Sequence, residues 1–532
     1  MTETTVAKGG IAWAGSLVGS QNPNAPTGYR YSTVSKRYKV TGDVNESSLR
    51  DLPTNIQVRF RNRQGEEMQE TLDLPVNSTV EDLQALVHQL LNLSDDAASG
   101  TIPYAFYAGI GEDSETELVT SLADLLRENA QLSTETVLSL TYQPLAVFRV
   151  RPVTRCTDTL QGHTSAVLHV SFAPNGKLLA SGGGDTIVRF WDVYTSTTKF
   201  TCAGHKDHVL CTAWSPDGRR FASGDKRGLL IVWDPATGKV HGKHIQAHSK
   251  WITGLAWEPL HLCAAECERL ATASKDGTCK LWNSRTGSAI LTLSGHTDSV
   301  EAVKWSGENL IVTASRDRTI KVWNADRGIL VRTLTGHGHR VNTLALSSDA
   351  VCRSGPYDYK NTVYATAQDM VHAAKEKYEA YRREHGPDTL VSGSDDFTLY
   401  VWNLESSKHP VKRLTGHQQA VNHISYSPDG RYFASGAFDK KVKLWNGHTG
   451  EFLCTLTGHV GAVYQVAWSA DSRYIVSASK DSTAKLWEVP SGKRAKETLP
   501  GHADEVYALD WSPVSGSVAT GSKDRTIKIW KH

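Results

Sequence analysis

A Gly-His or Ala-His pair recurs eight times along the chain, at Gly162-His163, Gly204-His205, Ala247-His248, Gly295-His296, Gly336-His337, Gly416-His417, Gly458-His459 and Gly501-His502. Successive histidines are 42, 43, 48, 41, 80, 42 and 43 residues apart. Each pair is answered by a tryptophan: Trp191, Trp233, Trp282, Trp323, Trp402, Trp445, Trp487 and Trp530. Within the last copy, Val506, Ala508 and Asp510 alternate with their neighbours before a turn at Ser512-Pro513. A second strand then runs into Thr520, a tight turn carries Asp524, and a third strand ends at Trp530. Alternation broken by turn residues every ten or so positions predicts short antiparallel strands. A unit this small cannot bury its own apolar face, so the copies must stack on one another.

The polar residues recur with the same period. In seven copies an Asp lies six residues before the Trp: Asp185, Asp276, Asp317, Asp396, Asp439, Asp481 and Asp524. Four residues before each Asp stands a Ser or Thr, such as Ser181, Thr313 or Thr520. The second copy departs, with Arg227 in the Asp position, which predicts an incomplete set there. The period and the Gly-His and Trp-Asp marks resemble WD40 repeats, which build propeller blades of four strands. That resemblance implies a buried chain of His, Ser/Thr, Asp and the Trp indole in each blade, for example His502, Thr520, Asp524 and Trp530. Eight copies of a His–Ser–Asp set cannot all be active sites, so the sets are structural. Thr157 to Leu160 precedes the first pair and the chain stops three strands into the last copy. The resemblance implies that this outer strand completes the last blade and closes the ring, giving an eight-bladed propeller over 145–532.

The chain before the repeats has another character. Residues 1–50 show no sustained period and read as a flexible extension. Lys36 to Lys39 (KRYK) is a short basic cluster, a pattern shared by nuclear-import signals and ordinary solvated surface. From Asn55, Ile56, Val58 and Phe60 alternate with polar residues, which predicts a strand, with a turn at Gln64-Gly65-Glu66 and a second strand from Thr71 to Val76. Ser78 with Glu81 reads as a capping box opening a helix whose apolar face is Val80, Leu83, Val87 and Leu90. A strand at Tyr104 to Ala108, a helical turn at Ser121 to Leu126 and a strand at Val137 to Tyr142 follow. The element order resembles the ubiquitin-like fold, so residues 51–144 are expected to form an α+β domain ahead of a mainly β propeller. Tyr142-Gln143-Pro144 runs straight on, with no Gly-Gly tail. A built-in docking module is therefore expected, joined by a short linker, Leu145 to Arg155, that is poor in Gly and Ser.

Charge separates the two modules although the net charge is only +2. Residues 51–143 hold 16 Asp/Glu against 4 Lys/Arg, and the rest of the chain is correspondingly basic, at +14. An acidic module on a basic one implies two different kinds of partner, one of them rich in phosphate. No apolar run approaches the ~18 residues that span a membrane, and no signal-peptide pattern opens the chain. Eight scattered cysteines, none before Cys156, suit a reducing compartment. His261, Cys263 and Cys267 in the extra stretch Glu258 to Arg269 lack a fourth ligand and a zinc spacing, so no intrinsic metal is expected. The fifth copy carries a long insert, 350–387, in which Met370 to Arg383 is helix-prone and highly charged. Such an insert is either an interaction element or a helix that caps the rim.

A ubiquitin-like module, eight WD40-like repeats and the KEKYEAYRR insert ahead of LVSGSDDFTLYVW together resemble the Notchless family. The resemblance implies an assembly factor of the large ribosomal subunit in the nucleus and nucleolus. It implies a propeller anchored on the pre-ribosomal particle, in contact with ribosomal RNA and other factors. It further implies docking of the ubiquitin-like domain onto the metal-ion-dependent adhesion site of the AAA ATPase Midasin, which transmits ATP-driven remodelling. The acidic loop Gly111 to Thr120 (GEDSETELVT) offers Glu112, Asp113, Glu115 and Glu117. The resemblance places the ligand to the partner's Mg²⁺ at Glu117, with the other three as supporting charge. No phosphate-binding GxxxxGK[ST] loop and no nucleophile elbow is present, so no enzyme is expected. The competing reading is a substrate receptor of a ubiquitin ligase. The Trp-Asp-x-Arg pattern of such receptors is missing after Trp191-Asp192 and Trp233-Asp234, and Trp282-Asn283-Ser284-Arg285 only approaches it.

Overall fold

A computed structural model describes residues 53–62, 71–90, 103–109, 115–118, 121–128, 137–145, 148–360, 362–405, 408–489 and 494–532. The expected flexible extension, the KRYK cluster and the turn at 64–66 lie outside the described residues.

The first module is a five-stranded sheet of β1 (Asn55–Arg61), β2 (Leu72–Pro75), β3 (Tyr104–Gly109), β4 (Glu115–Glu117) and β5 (Leu138–Pro144). The strand order is β2-β1-β5-β3-β4, with β1 and β5 parallel at the centre, as in ubiquitin-like folds. Helix α1 (Val80–Leu90) lays Leu83 and Val87 on the sheet, where they meet Ile56, Val58, Phe60 and Phe106. Its cap lies one residue later than the sequence implied. Asp82 accepts from the Thr79 backbone N–H at 2.9 Å, and its own N–H reaches the Thr79 hydroxyl at 3.4 Å. Ser78 instead donates to the Pro75 carbonyl, closing the preceding turn. The short α2 (Leu122–Glu128) opens in the same way, with Ser121 and Asp124.

The repeats fold into eight four-stranded antiparallel sheets among the described residues. Their inner strands, from Val167–Phe172 in the first to Val506–Trp511 in the eighth, lie side by side, and the eighth packs against the first. The last sheet borrows its outer strand, β6 (Arg155–Leu160), which pairs antiparallel with Ile527–Lys531. This closes the ring with a strand from ahead of the first repeat, so the last blade has four strands like the others. Each inner strand carries a bulge at its second residue, such as Asn342 or Asn422. Both amides use the twist to reach the neighbouring blade, at Val421 O and Tyr464 O.

The buried polar chain is present in all eight blades. In the eighth, the Trp530 indole donates to Thr520 Oγ1 at 2.8 Å, Thr520 lies 2.8 Å from His502 Nε2, and His502 Nδ1 lies 2.8 Å from Asp524 Oδ2. Asp524 also accepts the Ala503 and Thr526 backbone N–H groups. The second blade corrects the expectation of an incomplete set. Asp225, eight residues before Trp233 rather than six, lies 3.2 Å from His205 Nδ1, and Ser223 completes the chain to Trp233. Geometry explains the substitution. A Cβ placed on Gly183, the matching residue of the first blade, would fall 2.4 Å from Asp185 Oδ1 and 2.6 Å from His163 Nδ1. A side chain at that position therefore points at the spot the usual Asp fills. The Arg227 side chain is left outside, with its Nε 3.6 Å from Asp207.

The insert of the fifth blade forms two helices. Helix α3 (Asp349–Ser354), which the sequence reading missed, lies across the ring. Asp349 takes Lys304 of the fourth blade at 2.8 Å, and Arg353 donates to Asp510 of the eighth at 2.8 Å. Helix α4 (Ala367–His385) opens on a capping box of Thr366 and Asp369. Met370 and Ala374 cover Leu260, Cys263 and Cys267 of the third blade, and Tyr378 stacks on His261 at 4.1 Å. His261 Nε2 is within 2.8 Å of Gly307 O, and the two thiols sit in apolar core.

Candidate functional site

The site begins at the far edge of the first sheet. The order β2-β1-β5-β3-β4 makes β4 an edge strand, paired only through β3, with Tyr107 opposite Glu117 and Gly109 opposite Glu115. Glu117 is the last residue of that strand, and Leu118 after it is buried and bonded back to Phe106 O at 2.8 Å. The backbone on which Glu117 sits is thus anchored on both sides, while its side chain points away from the domain core. Of the other acidic residues, Glu115 opens the strand, and Glu112 and Asp113 lie outside the described residues.

Glu117 is half-buried and both of its oxygens have partners. Oε1 accepts from Arg431 Nη2 and Oε2 accepts the Tyr432 hydroxyl at 2.5 Å. Arg431 also donates from Nε to the Tyr107 hydroxyl at 2.6 Å and from Nη2 to the Tyr432 hydroxyl at 2.9 Å. Its guanidinium carbon lies 4.9 Å from the Tyr432 ring centre and 5.7 Å from that of Tyr107. Burial works against the guanidinium's charge, but Glu117 and the electron-rich phenols hold its pKa well above the usual arginine value. Tyr432 is pushed up, by burial first, so it remains a hydroxyl donor.

Arg431 follows the turn Ser427-Pro428-Asp429-Gly430 of the sixth blade, which Gly430 makes with φ 67°. The same blade position holds Arg219 in the second blade and Arg473 in the seventh. Those side chains are 45% and 41% exposed, whereas Arg431 is 8% exposed. The difference comes from the first module, which covers Arg431 alone of the three. Two further ties hold it there. Gln143 Nε2 lies 2.9 Å from His385 Nε2 at the end of α4, and Asp471 of the seventh blade accepts the linker N–H of Val150 at 2.7 Å. The family resemblance pointed to Glu117, and the sequence did not single out Arg431 or Tyr432. The only available signal was a turn arginine that looks like two others.

The insert's positive charge is largely committed to the chain itself. Lys377 Nζ donates to Ser354 and to Tyr357 O, and burial lowers its pKa to about 8. Arg382 reaches Glu405 at 3.1 Å and Glu308 at 3.4 Å. Among the described residues no cluster of His, Cys, Asp and Glu has metal-holding geometry.

Known proteins match both modules. A family model described as "NLE (NUC135) domain" matches residues 56–126, and "WD domain, G-beta repeat" matches 154–192, 196–234, 240–283, 287–324, 408–446, 450–488 and 493–531. The fifth repeat is passed over because its insert separates the first two strands of the blade. "Protein Notchless" of Drosophila melanogaster is 47% identical over 382 residues, 71% of this chain and 75% of the relative. "Notchless protein homolog" of Arabidopsis thaliana is 50% identical, over 66% and 72% of the two chains. "Ribosome assembly protein 4" of Saccharomyces cerevisiae is 41% identical, over 76% and 80%. Among solved structures, the computationally designed Ika8 protein superposes with a TM-score of 0.55 at 26% identity, covering 70% of this chain and 98% of that one. The architecture is that of a WD40-repeat protein with an N-terminal ubiquitin-like module. The chain belongs to the Notchless family.

Proposed function

We propose that the chain is a non-enzymatic assembly factor of the large ribosomal subunit, working in the nucleus and nucleolus. Its basic propeller anchors on the pre-ribosomal particle and its RNA. Its ubiquitin-like domain docks through Glu117 onto the Mg²⁺ of the adhesion site of Midasin, so that ATP-driven pulling reaches the particle. The yeast relative named for ribosome assembly supports the first part of this reading. The observation that carries the second is the setting of Glu117. It ends an edge strand, its backbone is anchored on both sides, and its carboxylate already takes a cation, Arg431. Carboxylate oxygens suit a hard divalent cation, which the partner would supply; this chain's part is to hold one carboxylate steady against a pull.

A pull-down by the Mg²⁺-loaded adhesion domain, with and without EDTA, tests this reading. The wild-type chain should be captured only with the metal, and Glu117→Ala should lose capture while still entering pre-ribosomal particles. Glu117→Asp keeps the charge but falls one methylene short, and should weaken capture. Capture of Glu117→Ala at the wild-type level, or capture indifferent to EDTA, would overturn the docking mechanism. Recovery of cullin adaptors in place of ribosomal precursors would favour the ubiquitin-ligase reading.

A further inference from the structure

The carboxylate assigned to the partner's cation is already occupied within the chain. Both oxygens of Glu117 are engaged, one by Arg431 and one by Tyr432. The guanidinium that engages it is buried between Tyr107 and Tyr432, and so excludes other cations from that side. A bound Mg²⁺ brought to the same oxygens would sit beside a fixed positive charge under the sixth blade. The two arrangements therefore compete for one carboxylate.

We propose that Arg431, with Tyr432, is a built-in competitor for Glu117: a latch that holds the ubiquitin-like domain on the sixth blade and must open before the domain can dock to a metal-bearing partner. The proposal rests on the docking role given to Glu117 above. The latch is a contact between charged groups, of which Glu117 is 25% exposed, backed by the Gln143–His385 contact. Such a contact can be exchanged without unfolding either module. The residues just before β6 stay fixed, because Val153 is buried in the core shared by the seventh and eighth blades. Opening then requires the domain to move relative to Val150, whose N–H Asp471 holds at 2.7 Å. Binding energy spent on opening the latch reduces apparent affinity by the fraction of chains already open. The latch would thus make capture weak for the free chain and stronger wherever another contact has already lifted the domain off the blade.

Arg431→Gln in the full chain is the direct test. It should tighten capture by the Mg²⁺-loaded adhesion domain roughly tenfold and increase the radius of gyration in small-angle scattering. Tyr432→Phe removes only the hydroxyl from a buried ring and should act in the same direction, by about two- to fivefold, with the blade's packing intact. The charge swap Glu117→Arg with Arg431→Glu should restore the compact form yet abolish capture. Wild-type capture and wild-type radius in both Arg431→Gln and Tyr432→Phe would overturn the latch and leave the docking role of Glu117 standing. If Glu117→Ala is captured normally, the docking role fails on its own. The latch is then judged by scattering: Arg431→Glu must expand the chain and the charge swap must compact it again.

Discussion

Two kinds of carboxylate contact in this molecule are built on opposite plans. Each blade closes an Asp on a His drawn from the same repeat, as Asp524 on His502, and does so eight times. The first module closes Glu117 on Arg431 once, across 314 residues of chain. The blade contact lies inside a chain of donors and acceptors that ends on a buried indole, and every member has its partner. Removing one member leaves the others unpaired in a place water cannot reach. Glu117 sits at a margin, with 25% of its side chain exposed. If that contact opens, both groups can turn to solvent. The first plan fixes a shape and the second sets an equilibrium.

The largest effects should come from breaking the blade network. Asp524→Ala should cost on the order of 1–3 kcal/mol in denaturant unfolding, because it orphans the His502 ring and the Ala503 and Thr526 amides. Asp225→Ala should cost about as much. Arg227→Ala, at the position where the repeat pattern puts the Asp, should stay within about 0.5 kcal/mol. The pair Asp225→Gly with Arg227→Asp restores the spacing of the other blades and should recover most of the loss. A destabilised Arg227→Ala beside an unaffected Asp225→Ala would reverse the assignment in the second blade.

Acid should separate two classes of carboxylate. Burial alone would raise the blade aspartates, but hydrogen bonds from the histidines, from the threonine hydroxyls two residues on and from backbone N–H groups more than offset it, so Asp276, Asp396, Asp481 and Asp524 titrate below the usual range. Their folded pKa is below the unfolded one. Their stabilisation is therefore present above about pH 4 and is lost as the pH falls through the folded values. Asp388 and Glu308, at the foot of the insert, run the other way. Burial first, and then their mutual repulsion for Glu308, raise them to about 6 and about 7. Their contribution is present below about pH 4 and is lost as the pH rises through 6 to 7. Asp388→Asn, whose amide oxygen can still accept from Ser348 and the Gly307 N–H, should flatten the profile between pH 4 and 7. Its limb below pH 4 should stay unchanged. Melting profiles over pH 3–8 decide this, and a variant that follows the wild type throughout would show that the pair does not titrate there.

What was legible in the sequence follows the same division. The blade pattern was legible because its residues recur at a fixed period, so even the odd second copy stood out. What failed there was local. Asp225 reaches the His from two residues earlier because its position on the strand end points at the same spot, and spacing alone does not encode direction. The capping box at Thr79 and Asp82 was read one residue early because Ser78 and Glu81 fit the same spacing. The helix α4 was visible in its composition, whereas α3 is too short to show a period and is held by Lys304 and Asp510 from distant blades. Glu117 came from resemblance to a family. Its partner could not come from any pattern, since Arg431, Arg219 and Arg473 follow the same kind of turn and only tertiary packing distinguishes them.

That last point yields the smallest and sharpest test. Arg473 is 3.9 Å from Glu488, and the two side chains are 41% and 33% exposed. An exposed pair of that kind contributes little, because water screens it and two long side chains must be ordered to form it. Arg473→Gln should shift unfolding by less than about 0.5 kcal/mol and leave capture by the adhesion domain and the scattering radius where they were. Arg431→Gln, the same change at the same blade position, should alter both of the latter. If the two variants behave alike, the covering of Arg431 by the first module has no energetic consequence, and the resemblance among the three turn arginines is the better guide. If they differ as expected, the cause is the packing of the ubiquitin-like domain on the sixth blade, since the substitution and the blade position are the same.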